Sequence, residues 1–346
     1  MRNIVFYIFI AMGLLGCSKD DAPTAPDDLN LIAFGNLSTR ARVNGISDVE
    51  NFGVWATVTS FDELGQINPN QSYKPFMTNE KVYRNPAGSS NWTYDNPKYW
   101  INDSYCYFFA AYPYNVGFQE ISATQEGLNY TAYSLDVSAN GSAVTQDILT
   151  AFHCTDTREE GYDTTVPFSF GHLLTKVNFR INQNFDIDPD FNYYVTKVSI
   201  TGIKGSGTYM MMPYESSYFE YWNMENATPV TLVKEYNTPA PLRDTDLDDP
   251  KITLSVFGYD GVILIPQEIA ANTVEIMVNY LYDTNLNDYD LGVPKSTRAY
   301  LPVGQWESGK NIVYTLSISN KSNISFLQPT IEPWGALQTG GTIIIR

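Results

Sequence analysis

The chain is poor in the residues that most often carry chemistry. Among 346 residues there are two histidines, His153 and His172, and three cysteines, Cys17, Cys106 and Cys154. Neither histidine belongs to a metal-type pair such as HExxH, and His153 and Cys154, being adjacent, point to opposite faces if they lie on a strand. Both histidines read as structural. No GxSxG elbow, Walker loop or GxGxxG loop occurs; Gly202, Gly205 and Gly207 lie close together with a different spacing and read as a turn between strands. The acidic run Asp244, Asp246, Asp248, Asp249 lacks the glycine and closing glutamate of an EF-hand and reads as a solvated loop. Positive charge is scarce, with 21 Lys and Arg against 38 Asp and Glu and a formal charge of −17. Such a balance argues against nucleic acid as a partner and against adsorption to anionic lipid. No catalytic residue, cofactor or metal is expected.

Runs of Ala, Leu, Glu and Lys with helical spacing are nearly missing, whereas tyrosine (25), phenylalanine (18) and tryptophan (6) abound. This is the composition of an all-β protein. Phe52, Val54, Ala56 and Val58 alternate with Trp55 and Thr57, which predicts a strand with a sharp division of faces. Tyr105 to Tyr112 is apolar on both faces and predicts a central strand, stopped by Pro113. Leu31 to Phe34 predicts a short strand, and Asp147 to Phe152 reads as a strand or a helical turn. Later strands are expected at Ile252 to Phe257, Val262 to Ile265, Val274 to Leu281 and Ile312 to Ile318. The length suits two domains, and the charged stretch around Gly161 divides residues 31–160 from 161–346.

The one long apolar run is Ile4 to Leu15, behind a basic start at Arg2. It is too short to span a bilayer and suits a secretory h-region. Leu14-Leu15-Gly16-Cys17 completes a lipoprotein signal: residues 1–16 would be removed and Cys17 acylated. Each buried methylene contributes about 0.8 kcal/mol, so two or more chains on Cys17 hold a protein to a membrane without a transmembrane helix. Residues 17–30, acidic and with two prolines, read as a tether. Ser18-Lys19-Asp20-Asp21 resembles the tag that sends Bacteroidota lipoproteins to the outside of the outer membrane. Export would permit a disulfide between Cys106 and Cys154, and the sequence leaves that pairing open.

Several stretches taken in order resemble the fimbrillins of Bacteroidales, the family of major and minor fimbrial subunits. They are Asn51-Phe52-Gly53-Val54-Trp55-Ala56, Tyr107-Phe108-Phe109-Ala110-Ala111-Tyr112-Pro113, Asp147-Ile148-Leu149, Phe168 to Val177 with His172 inside it, Ile265-Pro266-Gln267, and the closing Trp334. The resemblance implies two tandem transthyretin-like β-sandwich domains and a non-enzymatic role as a subunit of a surface pilus. It also implies export as an outer-membrane lipoprotein and a cut after an arginine by a trypsin-like protease. Arg40 in Ser-Thr-Arg-Ala matches the cut position best, with Arg42 as competitor.

Such a cut removes the first strand, and another subunit's strand fills the vacated slot. The physics is that of β-augmentation, in which unpaired backbone groups beside an apolar slot accept a strand. Thr342, Ile343, Ile344, Ile345 and Arg346, after the hinge Gly340-Gly341, are the candidate donor; the alternative is that they close the second sandwich. The partners implied are other fimbrial subunits, the protease, the outer membrane through the lipid, and a host or bacterial surface receptor. A glycan-binding surface lipoprotein is the alternative reading, with Tyr209, Tyr214, Tyr218, Phe219, Tyr221 and Trp222 as stacking residues.

Overall fold

The structure is a computed structural model. It describes residues 30–39, 49–61, 74–118, 130–134, 142–143, 147–187, 189–214, 216–243, 251–258, 261–283, 292–319, 324–334 and 343–344. Among these the regular elements are all strands. The first nine are β1 (Ala33–Thr39), β2 (Asn51–Ser60), β3 (Lys74–Arg84), β4 (Trp92–Thr93), β5 (Ser104–Tyr112), β6 (Tyr130–Ser134), β7 (Ser142–Ala143), β8 (Leu149–Asp156) and β9 (Thr165–His172). Eight more follow: β10 (Thr175–Gln183), β11 (Asn192–Lys204), β12 (Thr208–Tyr214), β13 (Ser217–Asn223), β14 (Pro229–Pro241), β15 (Leu254–Ser255), β16 (Val262–Leu264) and β17 (Gln267–Ile269). The last are β18 (Glu275–Asp283), β19 (Val293–Tyr300), β20 (Gly304–Trp306), β21 (Asn311–Ile318), β22 (Ser325–Phe326), β23 (Thr330–Glu332) and β24 (Ile343–Ile344).

A seven-stranded sheet has the order β1-β9-β8-β5-β2-β3-β4. β2 and β5 lie at its centre, and both of their faces are buried, so that even Thr57 and Thr59 of β2 are enclosed. Phe52, Val54, Ala56 and Val58 enter one core together with Phe108, Ala110, Phe168 and Phe170. Trp55 points the other way, 5.5 Å from Phe109 and 5.9 Å from Phe118. The sheet curls until its ends meet. Ile32 N donates to the Lys98 carbonyl at 2.9 Å, Trp100 N donates to the Asn30 carbonyl at 3.0 Å, and Leu31 bridges Tyr99. β9, which lies beyond Gly161, hydrogen-bonds within this same sheet.

A second core lies between two further sheets. One is built on β10, which pairs with β21 in parallel from Lys176↔Asn311 to Gln183↔Ile318 and also takes β15 and β16. The other has the order β14-β11-β18-β19. Val177, Phe179, Ile181, Tyr314 and Leu316 from the first pack with Val195, Val198, Ile200, Ile276, Val278 and Tyr280 from the second. Burying a side chain of this size stabilises a fold by roughly 1.5–3 kcal/mol, so this apolar layer holds the sandwich together. β22 and β23 lie along different parts of β21 as one interrupted strand.

Several expectations change in detail. The first strand begins at Ala33 rather than Leu31, which makes only an isolated bridge. The open segment after Asp147 is strand β8. The stretch from Ile252 to Phe257 contains only the two-residue β15, because the chain there turns at Gly258 with φ +84°. Cys106 and Cys154 are not joined in a disulfide. The register sets Cys106 opposite Thr155 and Tyr107 opposite Cys154, so the two sulfurs lie on opposite faces of the sheet. Burial pushes each thiol up to about 12.

Candidate functional site

Residues 30–39 form a stave with a neighbour on either side. Residues 30–32 bond to residues 98–100, while β1 pairs in parallel with β9 from Ala33↔Thr165 to Thr39↔Phe170, with a register shift between Gly35 and Ser38. The shift falls where the strands approach closely: a Cβ on Gly35 would lie 2.8 Å from Thr165 Cγ2. Ile32 and Phe34 point inward and are buried. The Phe34 ring lies 5.9 Å from Phe168, 5.3 Å from Tyr94, 6.4 Å from Phe108 and 6.5 Å from Phe52. Tyr94 also donates its hydroxyl to the Ile32 carbonyl at 2.8 Å. Without this stave, both sets of backbone groups and the apolar floor beneath Phe34 would face water.

Asp147, His172 and Trp334, from three separate stretches of the chain, meet at one buried point. Trp334 Nε1–H donates to Asp147 Oδ2 at 2.8 Å, and His172 Nδ1 lies 2.8 Å from the same oxygen. The indole and imidazole rings stack with centroids 4.2 Å apart. Lys176 Nζ donates to the Trp334 carbonyl at 2.8 Å, and Asn311 Nδ2 donates to the Pro333 carbonyl at 2.8 Å. Arg180 grips Glu332 with two bonds of 2.7 and 2.8 Å. The entrance to β8, the end of β9 and the chain after β23 are thereby pinned together. A buried polar cluster of this kind costs free energy where it is not satisfied, as at Asp147 Oδ1 and His172 Nε2, and its bonds restrict the arrangement of the segments that carry it. The structural role read for His172 takes this form.

The aromatic cluster divides by the pleat of the β12–β13 hairpin. Tyr209 is buried, and its hydroxyl donates to Glu220 in a short bond. Burial, with the Glu220 charge beside it, raises the Tyr209 hydroxyl well above the ordinary tyrosine value. Trp222 packs 5.4 Å from Tyr209, and Tyr218 lies 4.5 Å from Phe152 of β8. These three residues face the first sheet. Tyr214, Phe219 and Tyr221 face solvent and are 53%, 56% and 47% exposed.

Cys17, Arg40, Arg42, Thr342, Ile345 and Arg346 lie outside the described residues. Of the candidate donor, Ile343 and Ile344 form β24, which pairs with β7 through Ile343↔Ala143 and Ile344↔Ser142. The Asp244 to Asp249 run also lies outside. Among the described residues no cluster of His, Cys, Asp and Glu is arranged to hold a metal ion.

A fimbrial protein of Bacteroides vulgatus is 20% identical, covering 87% of this chain and 99% of its own, with a TM-score of 0.57. A proposed cell adhesion protein of Bacteroides uniformis is 17% identical over 90% of this chain and all (100%) of its own, with a TM-score of 0.42. A C-terminally truncated tip fimbrial protein of Porphyromonas gingivalis is 9% identical over 86% of this chain and 99% of its own, with a TM-score of 0.32. The first of these shares the β-sandwich fold. No curated protein matches the chain. The family model described as fimbrillin-like matches residues 39–334. The chain therefore belongs to the fimbrillin-like family, whose members are structural proteins of surface fimbriae rather than enzymes.

Proposed function

We propose that the protein is a fimbrial subunit exported as a lipoprotein on Cys17 and assembled by strand exchange after a cut at Arg40, or at Arg42. The observation that carries this reading is the stave at residues 30–39: it ends at Thr39, one residue before Arg40, and among the described residues it joins the two ends of the curled sheet. A cut after Arg40 separates the stave from the body at its C-terminal end. A strand from another subunit, with apolar residues two apart where Ile32 and Phe34 sit, would then occupy the slot. The segment Thr342 to Arg346 has that alternation and is the donor in this reading, with β24 as its resting position. Two tandem sandwich domains, residues 31–160 and 161–346 in the sequence reading, belong to this proposal, and the pairing of β9 with β1 and β8 supports moving their join to after His172. The partners are other subunits, a trypsin-like protease, the outer membrane and a surface receptor.

The test uses protein beginning at Ser18, treated briefly with a trypsin-like protease. Mass spectrometry locates the cut, and electron microscopy with unboiled denaturing gels detects polymers. A single cut after Arg40 or Arg42 followed by rods or a ladder is expected, and removing residues 342–346 should abolish them. Cut protein that stays monomeric overturns the strand-exchange step. Cys17→Ser should abolish palmitate labelling in cells; a labelled variant would overturn the anchor. A glycan-binding surface lipoprotein is the second reading, favoured by the solvent-facing rings of Tyr214, Phe219 and Tyr221.

A further inference from the structure

The outer face of the seven-stranded sheet is only partly covered. Around Trp55 and Phe109 it is sealed by Phe118, whose ring meets Tyr209 at 6.3 Å. Further along, the register places Thr150 opposite Gly171, with Phe152 and Ser169 on the same face. There the β12–β13 hairpin stands off and leaves a cleft of about 390 Å³, bounded on its far side by the turn Ser308 to Lys310. Gly171 is why the cleft reaches the backbone: a Cβ at that position would meet nothing within 4 Å.

The chemistry around this space is mixed in a particular way. Phe152 and Tyr218 supply an aromatic wall. Glu220 lies on the inward face of the hairpin, among Tyr209, Met211, Tyr218 and Trp222, and the Tyr209 hydroxyl donates to it. The turn Ser308 to Lys310 comes from a different element, and Thr150 and Ser169 bring hydroxyls. An apolar wall with fixed acceptors and donors around it fits a ring that has a C–H face and hydroxyls at its edges. The carboxylate within the cleft and the formal charge of −17 disfavour an anionic ring.

We propose that this cleft binds a neutral pyranose unit of a glycan. The inference rests on the surface-adhesion part of the reading above and is independent of strand exchange. The test titrates the chain from Ser18 with the methyl pyranosides of glucose, galactose, mannose and N-acetylglucosamine, and with methyl glucuronide, by saturation-transfer NMR and calorimetry. At least one neutral pyranoside should bind saturably at one site, with the glucuronide at least about tenfold weaker. Gly171→Leu, which fills the cleft, and Glu220→Gln should each weaken binding at least about tenfold. Tyr300→Ala, an exposed ring on β19 away from the cleft lining, should leave it unchanged, and melting temperatures would confirm that all three variants fold. The inference is overturned if no pyranoside binds saturably, if Glu220→Gln binds like the parent, or if Tyr300→Ala is the variant that loses binding. Polymerisation of the same samples separates the two readings: protein that polymerises but binds no pyranoside sinks the cleft alone, and protein that binds but does not polymerise sinks strand exchange alone.

Discussion

Two parallel strand pairs interrupt a sheet system that is otherwise antiparallel among the described residues, and they are built in opposite ways. β10 and β21 run together without a break from Lys176 to Gln183, with further strands on both sides. β1 and β9 share a shorter, shifted register, and the β1 stave is continued by residues 30–32, whose other partner is the short segment 98–100. Both pairings bury apolar side chains. They differ in how many other strands must be disturbed to remove one member. Taking away β21 would strip β22 and β23 of their partner and leave β10 only the short strands β15 and β16, whereas taking away residues 30–39 opens a single slot and leaves β8, β5, β2 and β3 paired.

The sharpest way to break this comparison is to place the same charge in both pairs. Leu316→Asp puts an unpaired carboxylate at the centre of the second core and should abolish soluble, folded protein. Phe34→Asp should leave a soluble chain whose circular dichroism still shows the strands of the second core. If the two variants behave alike, the first strand is no more separable than β21.

A milder step is Phe34→Ala, which should cost about 3 kcal/mol in denaturant titration, since the ring touches four aromatic neighbours. A chain lacking residues 30–39 should then regain thermal stability when a peptide of those residues is added. A peptide without effect would mean that the slot collapses once it is empty.

Trp334→Phe keeps the stack on His172 but removes the donor to Asp147, leaving a buried carboxylate short of a bond. About 2 kcal/mol should be lost in the same titration. An unchanged midpoint would show that Asp147 finds another donor.

The thiols should give the smallest effect, and one confined to the first sheet, where both lie. Each is an acid held protonated by burial, with its value raised from 9.0 to about 12. The stability this contributes is fully present below pH 9 and is lost as pH climbs towards 12. Moving from pH 8 to pH 10 should therefore lower the melting temperature of the parent by more than that of Cys106→Ala; equal shifts would assign the loss to tyrosines.

The all-β class and the central strands were legible because alternation is local. Phe52 to Val58 declares its two faces within seven residues, and Tyr105 to Tyr112 declares that it has no wet face. The pleat also determines which rings of the β12–β13 hairpin are exposed, and counting parity from Tyr218 would have separated Phe219 and Tyr221 from Trp222. What the sequence could not supply were the long-range meetings. Nothing near Leu31 points to β9, because parallel pairing leaves no turn signal. The junction of Asp147 with Trp334 joins residues 187 positions apart. Each was visible as part of a motif, yet the motifs gave no reason to place them in contact. Nor could composition reveal the stand-off of the hairpin at Gly171, which depends on a missing side chain and two separately folded elements.

The pinning of Trp334 has a mechanical consequence. In a fibre joined through the end of the chain, tension would enter the body along the segment that follows residue 334. A terminal strand pulled from its end peels one rung at a time, and the first rung here would be Glu332↔Asn311. Ahead of that rung stand the indole stacked on His172, its bond to Asp147 and the Lys176 ammonium on its carbonyl. The pull is thus shared at once between the ends of β8 and β9 and the start of β10, so the two cores are drawn together as a unit before the edge strand is asked to yield.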